Sequence, residues 1–389
     1  MPKHILVHSA LSVLAAASFF IPPAYAGTDA SAVVGNYANI VHATYADSLV
    51  SAKALQKAVH DFIAQPSEEG LRAARKAWIA AREPYGQSEV FRFYGGPIDD
   101  KKDIEGRLNA WPLDEAYIDY VKGKPSGGII NNPKAALETE RLIKLNGRGG
   151  EANVATGYHA MEFLLWGQDF NKNGPGDRPY ADFLDGQGKN ADRRRQYLKL
   201  VTDQVVVDLQ YLTDQWTEGQ SNYRAKFLKE DAEANLRKIL TGMAVLSSAE
   251  LAGERIQVAL DNQDQEDEHS CFSDNTHRDI VTNALGIRNV LLGEYKRIDG
   301  STVKGAGIKD LVAERDSKLA LKLVEDFSAS VSAAEAIQAP FDQEIIGKKS
   351  APGVKRVQAV ITALKKQTQT LVDAARALGI KKLSVAPSE

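Results

Sequence analysis

A single cysteine, Cys271, serves the whole 389-residue chain, so no intramolecular disulfide can form. Histidine is scarce as well: after residue 26 there are His42, His60, His159, His269 and His277, and no two of them stand four apart. That removes the HExxH zinc-protease pattern, and no Gly-x-Ser-x-Gly, Walker or dinucleotide fingerprint occurs either. Lys and Arg total 48 against 51 Asp and Glu, a formal charge of −3, so the basic excess that a nucleic-acid partner requires is missing. Beyond residue 26 no apolar run approaches the ~18 residues of a membrane span.

The first 26 residues are predicted to be a secretory signal. They hold one early basic residue, Lys3, an apolar core over 10–21 and the small-x-small site Ala24-Tyr25-Ala26, which places cleavage before Gly27. The expectation is an exported protein, periplasmic in a Gram-negative source, with association to the outer membrane left open. The remainder is longer than a single core usually grows, so two domains are expected.

Helical periodicity recurs along the chain and strand alternation hardly appears. Tyr197, Val201, Val205, Leu209, Leu212 and Trp216 step by three or four, the spacing of one apolar stripe on a helix. Val354, Val357, Ile361, Leu364, Leu371 and Leu378, stepping by three, four or seven, mark a second such stripe, and Gly379 stops the run. Ala-rich segments at 31–64, 67–92, 229–260 and 313–337 read likewise, which predicts an all-α protein built from bundles. Breakers gather in long loops at 95–133 and 167–190 and in short stretches at 219–222 and 299–307. The domain boundary is placed at 219–222, giving bundles over 27–220 and 221–389. A weak echo between Ala81–Gln87 and Ile337–Gln343, each after an Ala-rich helix, is compatible with an ancestral duplication.

The strongest chemical signal is Gly157-Tyr158-His159-Ala160-Met161-Glu162. His159 and Glu162 stand three apart, so a helix presents both on one face, and their neighbours Met161, Phe163, Leu164, Leu165 and Trp166 imply burial. A buried carboxylate needs a cation, a proton or donors, and a metal ion suits both groups; the plain alternative is a hydrogen-bonded pair that satisfies itself. Two ligands do not hold a metal, so Glu89 and Asp114 are candidate further donors, with an ion pair to Arg82 or Arg92 and a helix cap as their ordinary roles. Trp78, Arg82, Tyr85 and Glu89 are spaced to share a face. A second cluster, Glu268 to His277, brings His269, Cys271, Asp274 and His277 within nine residues. There Ser273 or Asp274 is also placed to cap a helix starting near Asn275. Asp169-Phe170-Asn171-Lys172-Asn173-Gly174 matches the opening of a calcium loop, but Tyr180 stands where its twelfth-position Glu is needed, so it reads as a turn-rich loop.

Taken together, Gly157-x-His159-x-x-Glu162, Ala81-Arg82-Glu83-Pro84-Tyr85 with Ser88-Glu89, Trp111-Pro112-Leu113-Asp114, the 173–180 loop and the His269–His277 cluster resemble the imelysin family of exported, iron-regulated bacterial proteins. The resemblance covers about residues 33 to 375. It implies two helical bundles packed with pseudo-symmetry around a shared cleft and a link to iron uptake. His159 and Glu162 would be metal ligands, and Arg82, Glu89, Asp114, His269, Asp274 and His277 would line the cleft. The metal implied is a transition ion, iron before zinc, arriving bare or as an iron chelate. A membrane-associated uptake partner stays open.

The family is also classified among metallopeptidases, yet no water-activating Glu stands beside a ligand His and no second His sits at zincin spacing. Three readings result: a metal-binding protein of iron acquisition, which is preferred, a metallopeptidase, and a metal-free cleft for an organic ligand or partner. Ligation needs neutral imidazole, so metal affinity is expected to fall below the ordinary histidine pKa of ~6.5. Cys271 beside Phe272 is expected to be a partly buried, unpaired thiol.

Overall fold

The computed structural model describes residues 28–386, so the predicted signal segment 1–26 and its cleavage point lie outside the described residues. Among the described residues the protein is all-helical apart from a small hairpin, Glu294–Lys296 against Thr302–Lys304, antiparallel with Glu294 opposite Lys304. This hairpin occupies part of the stretch that the sequence marks only as Gly-rich. Among the described residues no helix is long and apolar enough to cross a membrane.

The first long helix, Ala30–Ala64, starts where Asp29 accepts a hydrogen bond from the Ala32 N–H at 2.7 Å. Glu68–Gly86 follows, capped by Ser67 on the Gly70 N–H at 3.1 Å, with Glu68 and Glu69 favourably placed against the helix dipole. Both pack together, and Ala191–Trp216 lies against Ala30–Ala64 with Tyr197, Val201, Val205, Leu209, Leu212 and Trp216 all buried, as their spacing requires. The chain between Trp216 and Tyr223 is a loop. Ser317–Glu335 packs on Pro352–Ala377 and on Thr276–Leu292. Buried apolar residues from both sides of residue 220 form one contiguous cluster. The two segments of the sequence echo take different structures: 81–86 ends a helix, whereas 337–340 is a loop leading into Phe341–Ile345.

Ala232–Val245 continues without a break into a π-helical stretch, Leu246–Gln257, before ending as Val258–Asn262. The wider turn puts Glu250 and Arg255, five apart, within an ion-pair distance of 2.8 Å. An α-helical face would have separated them.

One close crossing sets the geometry of the site. A Cβ on Gly86 would come within 2.0 Å of Thr282 Oγ1, and one on Gly286 within 2.4 Å of the Gln87 carbonyl oxygen. Glycine at both positions lets Glu68–Gly86 and Thr276–Leu292 touch along their backbones, where Asn283 Nδ2 donates to the Gly86 carbonyl at 3.0 Å. Arg82, one turn before Gly86, therefore faces Asp279, two turns before Gly286.

Candidate functional site

The helix Gly157–Trp166 carries the central motif, and every one of its residues is buried. Gly157 opens it at φ +87°, where a Cβ would clash with the Leu108 carbonyl at 2.5 Å. Two long-range bonds hold the start in place: Trp78 Nε1 donates to the Tyr158 carbonyl at 2.9 Å and the Tyr197 hydroxyl to the Ala155 carbonyl at 2.7 Å.

Within this helix His159 Nδ1 lies 2.8 Å from Glu162 Oε2, so the predicted shared face is present. The other carboxylate oxygen, Oε1, accepts from the Ser273 N–H at 2.9 Å and the Ser273 hydroxyl at 2.7 Å. Burial drives both partners toward neutrality. It pushes the Glu162 carboxyl up to about 8, against the lowering effect of Ser273, and takes His159 well below its ordinary value with help from Arg82. The contact is a hydrogen bond between groups that resist charging, more than an ion pair. His159 Nε2 is buried and has no hydrogen-bond partner.

A second imidazole stands next to it. The His269 ring centroid is 4.7 Å from that of His159, with 68° between the planes. His269 Nδ1 is 3.0 Å from Asp279 Oδ2, which also accepts from the Ser270 hydroxyl. Asp279 Oδ1 accepts from Arg82 Nε at 3.2 Å and Nη2 at 3.1 Å. Arg82 Nη1 donates to Asn109 Oδ1 at 2.6 Å, and Asn109 Nδ2 faces His269 Nε2 at 3.5 Å, closing a ring of four side chains. The guanidinium lies 5.2 to 5.6 Å from the ring centroids of Trp78, Tyr85 and Tyr158. Burial and Arg255 hold His269 down at about 3. For Asp279 burial acts upward, but Arg82 and His269 outweigh it and keep the carboxylate ionised.

These values correct one expectation. With both imidazoles depressed by burial, neutral nitrogen persists well below pH 6.5, and any loss of affinity caused by imidazole protonation moves to lower pH. Glu162 has a different consequence for the metal-free protein. The folded state keeps its proton up to about 8 while the unfolded chain releases it near the ordinary 4.5. The resulting stabilisation is complete below 4.5 and is lost as pH rises to about 8. Glu162→Gln stays neutral throughout, so wild-type stability should decline relative to the variant across that window, read as Tm against pH. Parallel curves would refute it.

Beside this ring a cavity of about 330 Å³ is lined by His269, Trp111, Asn109, Arg92, Arg255 and Glu105 among others. At about 30 Å³ per liquid water, it has room for a hydrated ion or a small chelator. Glu89, also buried, accepts from Arg255 at 2.6 Å and Arg92 at 2.9 Å. Burial alone would raise Glu89, but Arg255 and Arg92 bring it to about 2, while burial and the Glu89 charge leave Glu105 at about 7 against the pull of Arg92.

The structure thus gathers Arg82 and His269 with His159 and Glu162, and sets Glu89 in the neighbouring ion network. It sends the other candidates elsewhere. Asp114 is exposed and caps a short helix, accepting from the Ala116 N–H at 3.0 Å. His277 turns back to the Asp274 carbonyl at 3.1 Å. Asp274 makes no bond to either imidazole and lies among other carboxylates. Neither Ser273 nor Asp274 caps the helix that starts at Thr276, since Asn275 is its N-cap residue without a side-chain bond and Ser273 is spent on Glu162. Arg82 pairs with Asp279, not Glu89. Asp279, Asn109 and Arg255 were not singled out from the sequence. The one local sign for Asp279 was an acidic residue in the first turn of a helix.

Cys271 is 7% exposed and burial pushes its thiol up. Labelling by a thiol reagent should be slow in the native protein and fast in urea; fast native labelling would contradict the burial.

The imelysin family model matches residues 41–371. The chain belongs to the imelysin family. It is 25% identical over 335 residues to iron-regulated protein A of Synechococcus elongatus, covering 84% of this chain and 80% of that protein. Among solved structures, a protein assigned as an iron-regulated protein A precursor from Parabacteroides distasonis matches with TM-score 0.70 at 21% identity, covering 91% of this chain and 97% of the other. An imelysin-like protein from Psychrobacter arcticum matches with TM-score 0.61 at 13% identity, covering 92% and 98%. At these identities the structural matches establish the shared imelysin fold.

Proposed function

We propose that this imelysin-family protein is an exported iron-binding protein that takes up iron, bare or chelated, where His159 and His269 meet. The observation that carries the reading is the buried, partnerless Nε2 of His159 beside a second imidazole. Each ring is oriented at Nδ1 by an acidic side chain, Glu162 for His159 and Asp279 for His269; Nε2 of His159 is left without a partner, whereas Nε2 of His269 faces Asn109 Nδ2 at 3.5 Å and would exchange that contact for the metal. Among the described residues no group of three or more His, Cys, Asp or Glu is placed to hold an ion. Iron on the two imidazoles would therefore keep positions for water or for a chelator's oxygen atoms, with the 330 Å³ cavity beside His269 to contain them.

In this reading Glu162 acts behind His159 instead of binding the metal itself, because both of its oxygens are already engaged. Peptide hydrolysis would need a free base beside the metal, and Glu162 is not free. The iron-regulated relative supports iron as cargo before zinc. Delivery to a membrane-associated uptake partner, and a division into bundles at about residue 220 with a cleft between them, belong to the same proposal. X-ray absorption at the iron edge of the loaded protein should show imidazole scattering. A shell of oxygen alone would overturn the assignment.

A further inference from the structure

A pocket of about 510 Å³ that shares no residue with the iron site is lined by Asn39, His42, Thr217, Glu218, Arg224 and Arg297 among others. Three separate pieces of chain meet there. Asn39 and His42 stand three apart on Ala30–Ala64, Thr217, Glu218 and Arg224 belong to the turn and short helix after Trp216, and Arg297 follows the first strand of the hairpin.

Arg224 carries the chemical signal. It is 6% exposed, yet among the described residues its only hydrogen bond runs from Nη2 to Asn39 Oδ1 at 2.6 Å. Its one carboxylate neighbour, Glu218, is 3.7 Å away with a side chain 84% exposed. The remaining guanidinium nitrogens, Nε and Nη1, are not sealed in protein and open on the pocket. A guanidinium has five N–H donors, and burying it with most of them unused is costly unless an acceptor enters from outside.

Arg297 is fixed beside it. Its Nε and Nη2 donate to Asp47 Oδ1 at 3.1 and 2.5 Å, while Asp47 Oδ2 accepts from the Tyr295 hydroxyl and the Ile298 N–H, each at 3.1 Å. Both oxygens of Asp47 are thereby engaged, and Arg297 keeps Nη1 unused. Burial, then Arg224 and Arg297, hold His42 below its ordinary value, and Glu218 opposes them without reversing the shift. The pocket interior is electropositive.

We propose that this pocket binds a tetrahedral oxyanion of the phosphate class, free or as a monoester, with Arg224 as its principal partner and Arg297, Asn39 and His42 beside it. Donors converge from three elements, which suits oxygens directed to several sides. A flat carboxylate would pair with one guanidinium edge and leave the other donors unmet. At about 30 Å³ per liquid water, the pocket has room for water or a small organic group around the phosphate. Glu218 is the competing anion, and its exposed position lets it swing aside when the ligand enters.

The test is calorimetric titration of the mature protein with sodium phosphate, glycerol 3-phosphate and sodium acetate at constant ionic strength, alongside thermal unfolding. Iron is first stripped with a chelator, because bound iron would itself take up phosphate. Phosphate or its ester should bind and raise Tm, and the tighter of the two shows whether the oxyanion is free or esterified. Arg224→Gln should weaken binding at least ~10-fold, the scale of a lost charge-assisted hydrogen bond. Glu218→Gln, an exposed substitution, should tighten it ~2–5-fold, the scale of an exposed ion pair. If R224Q fails to fold, E218Q decides the matter. No binding of either phosphate by the wild type, unchanged affinity in folded R224Q, or unchanged or weaker affinity in E218Q would overturn the site. Acetate binding as tightly as phosphate would overturn the tetrahedral class.

Discussion

His159→Ala is expected to weaken iron binding by more than the ~10-fold that loss of even an outer partner costs a metal site. The variant removes one of the two imidazole donors and leaves Glu162 bonded to Ser273, so the helix should survive with little change in circular dichroism. His269→Ala should do the same to iron, and Glu162→Gln should act more mildly because it disturbs the orientation of the ring while sparing the donor. Anaerobic titration with ferrous iron, repeated with ferric citrate, ranks the three. Equal affinity in wild type and in both histidine variants would leave a self-satisfied polar core as the better account, and would favour the cleft that binds an organic ligand or partner without metal.

Arg82→Ala is expected to produce the largest loss of stability of any single substitution at the site. Arg82 is buried, bonded twice to Asp279 and once to Asn109, and packed among three aromatic rings. Removing one partner of a buried ion pair leaves the other charge uncompensated, at about 3–5 kcal/mol. Against a typical total of about 5–15 kcal/mol, that is a large fraction. Asp279 would lose the group that keeps it ionised, and His269 would lose its anchor with it. The double variant Arg82→Ala with Asp279→Ala should recover part of the loss, because it removes the stranded charge as well. Urea denaturation decides the matter: a shift below about 1 kcal/mol for R82A would show that the pair is not a structural keystone.

The all-helical class was legible in the sequence because helical burial is a local rule. The stripe from Tyr197 to Trp216 needs only a spacing of three or four to be read, and all six residues are buried. The 229–260 segment was legible as helix, but its π-helical middle was not. The pairing of Glu250 with Arg255 at a spacing of five depends on that widened turn. The hairpin at 294–304 was missed because strands of three residues are too short for alternation to register.

The same division runs through the site. The contact of His159 with Glu162 lies within one helical turn, and so the sequence alone determined it, together with the buried, unpaired state of Cys271 and the scarcity of other imidazoles. What surrounds that pair was decided by tertiary structure. Ser273 reaches Glu162 across 111 residues and Arg82 reaches Asp279 across 197. Those contacts depend on where two helices cross, and the crossing depends on the absence of side chains at Gly86 and Gly286. Asp114 has the same charge as Asp279 and a more aromatic neighbourhood in sequence, with Trp111 and Tyr117 beside it, yet it caps an exposed turn. Periodicity can say which face of a helix is buried. Only the packing of one helix on another says which buried charges meet.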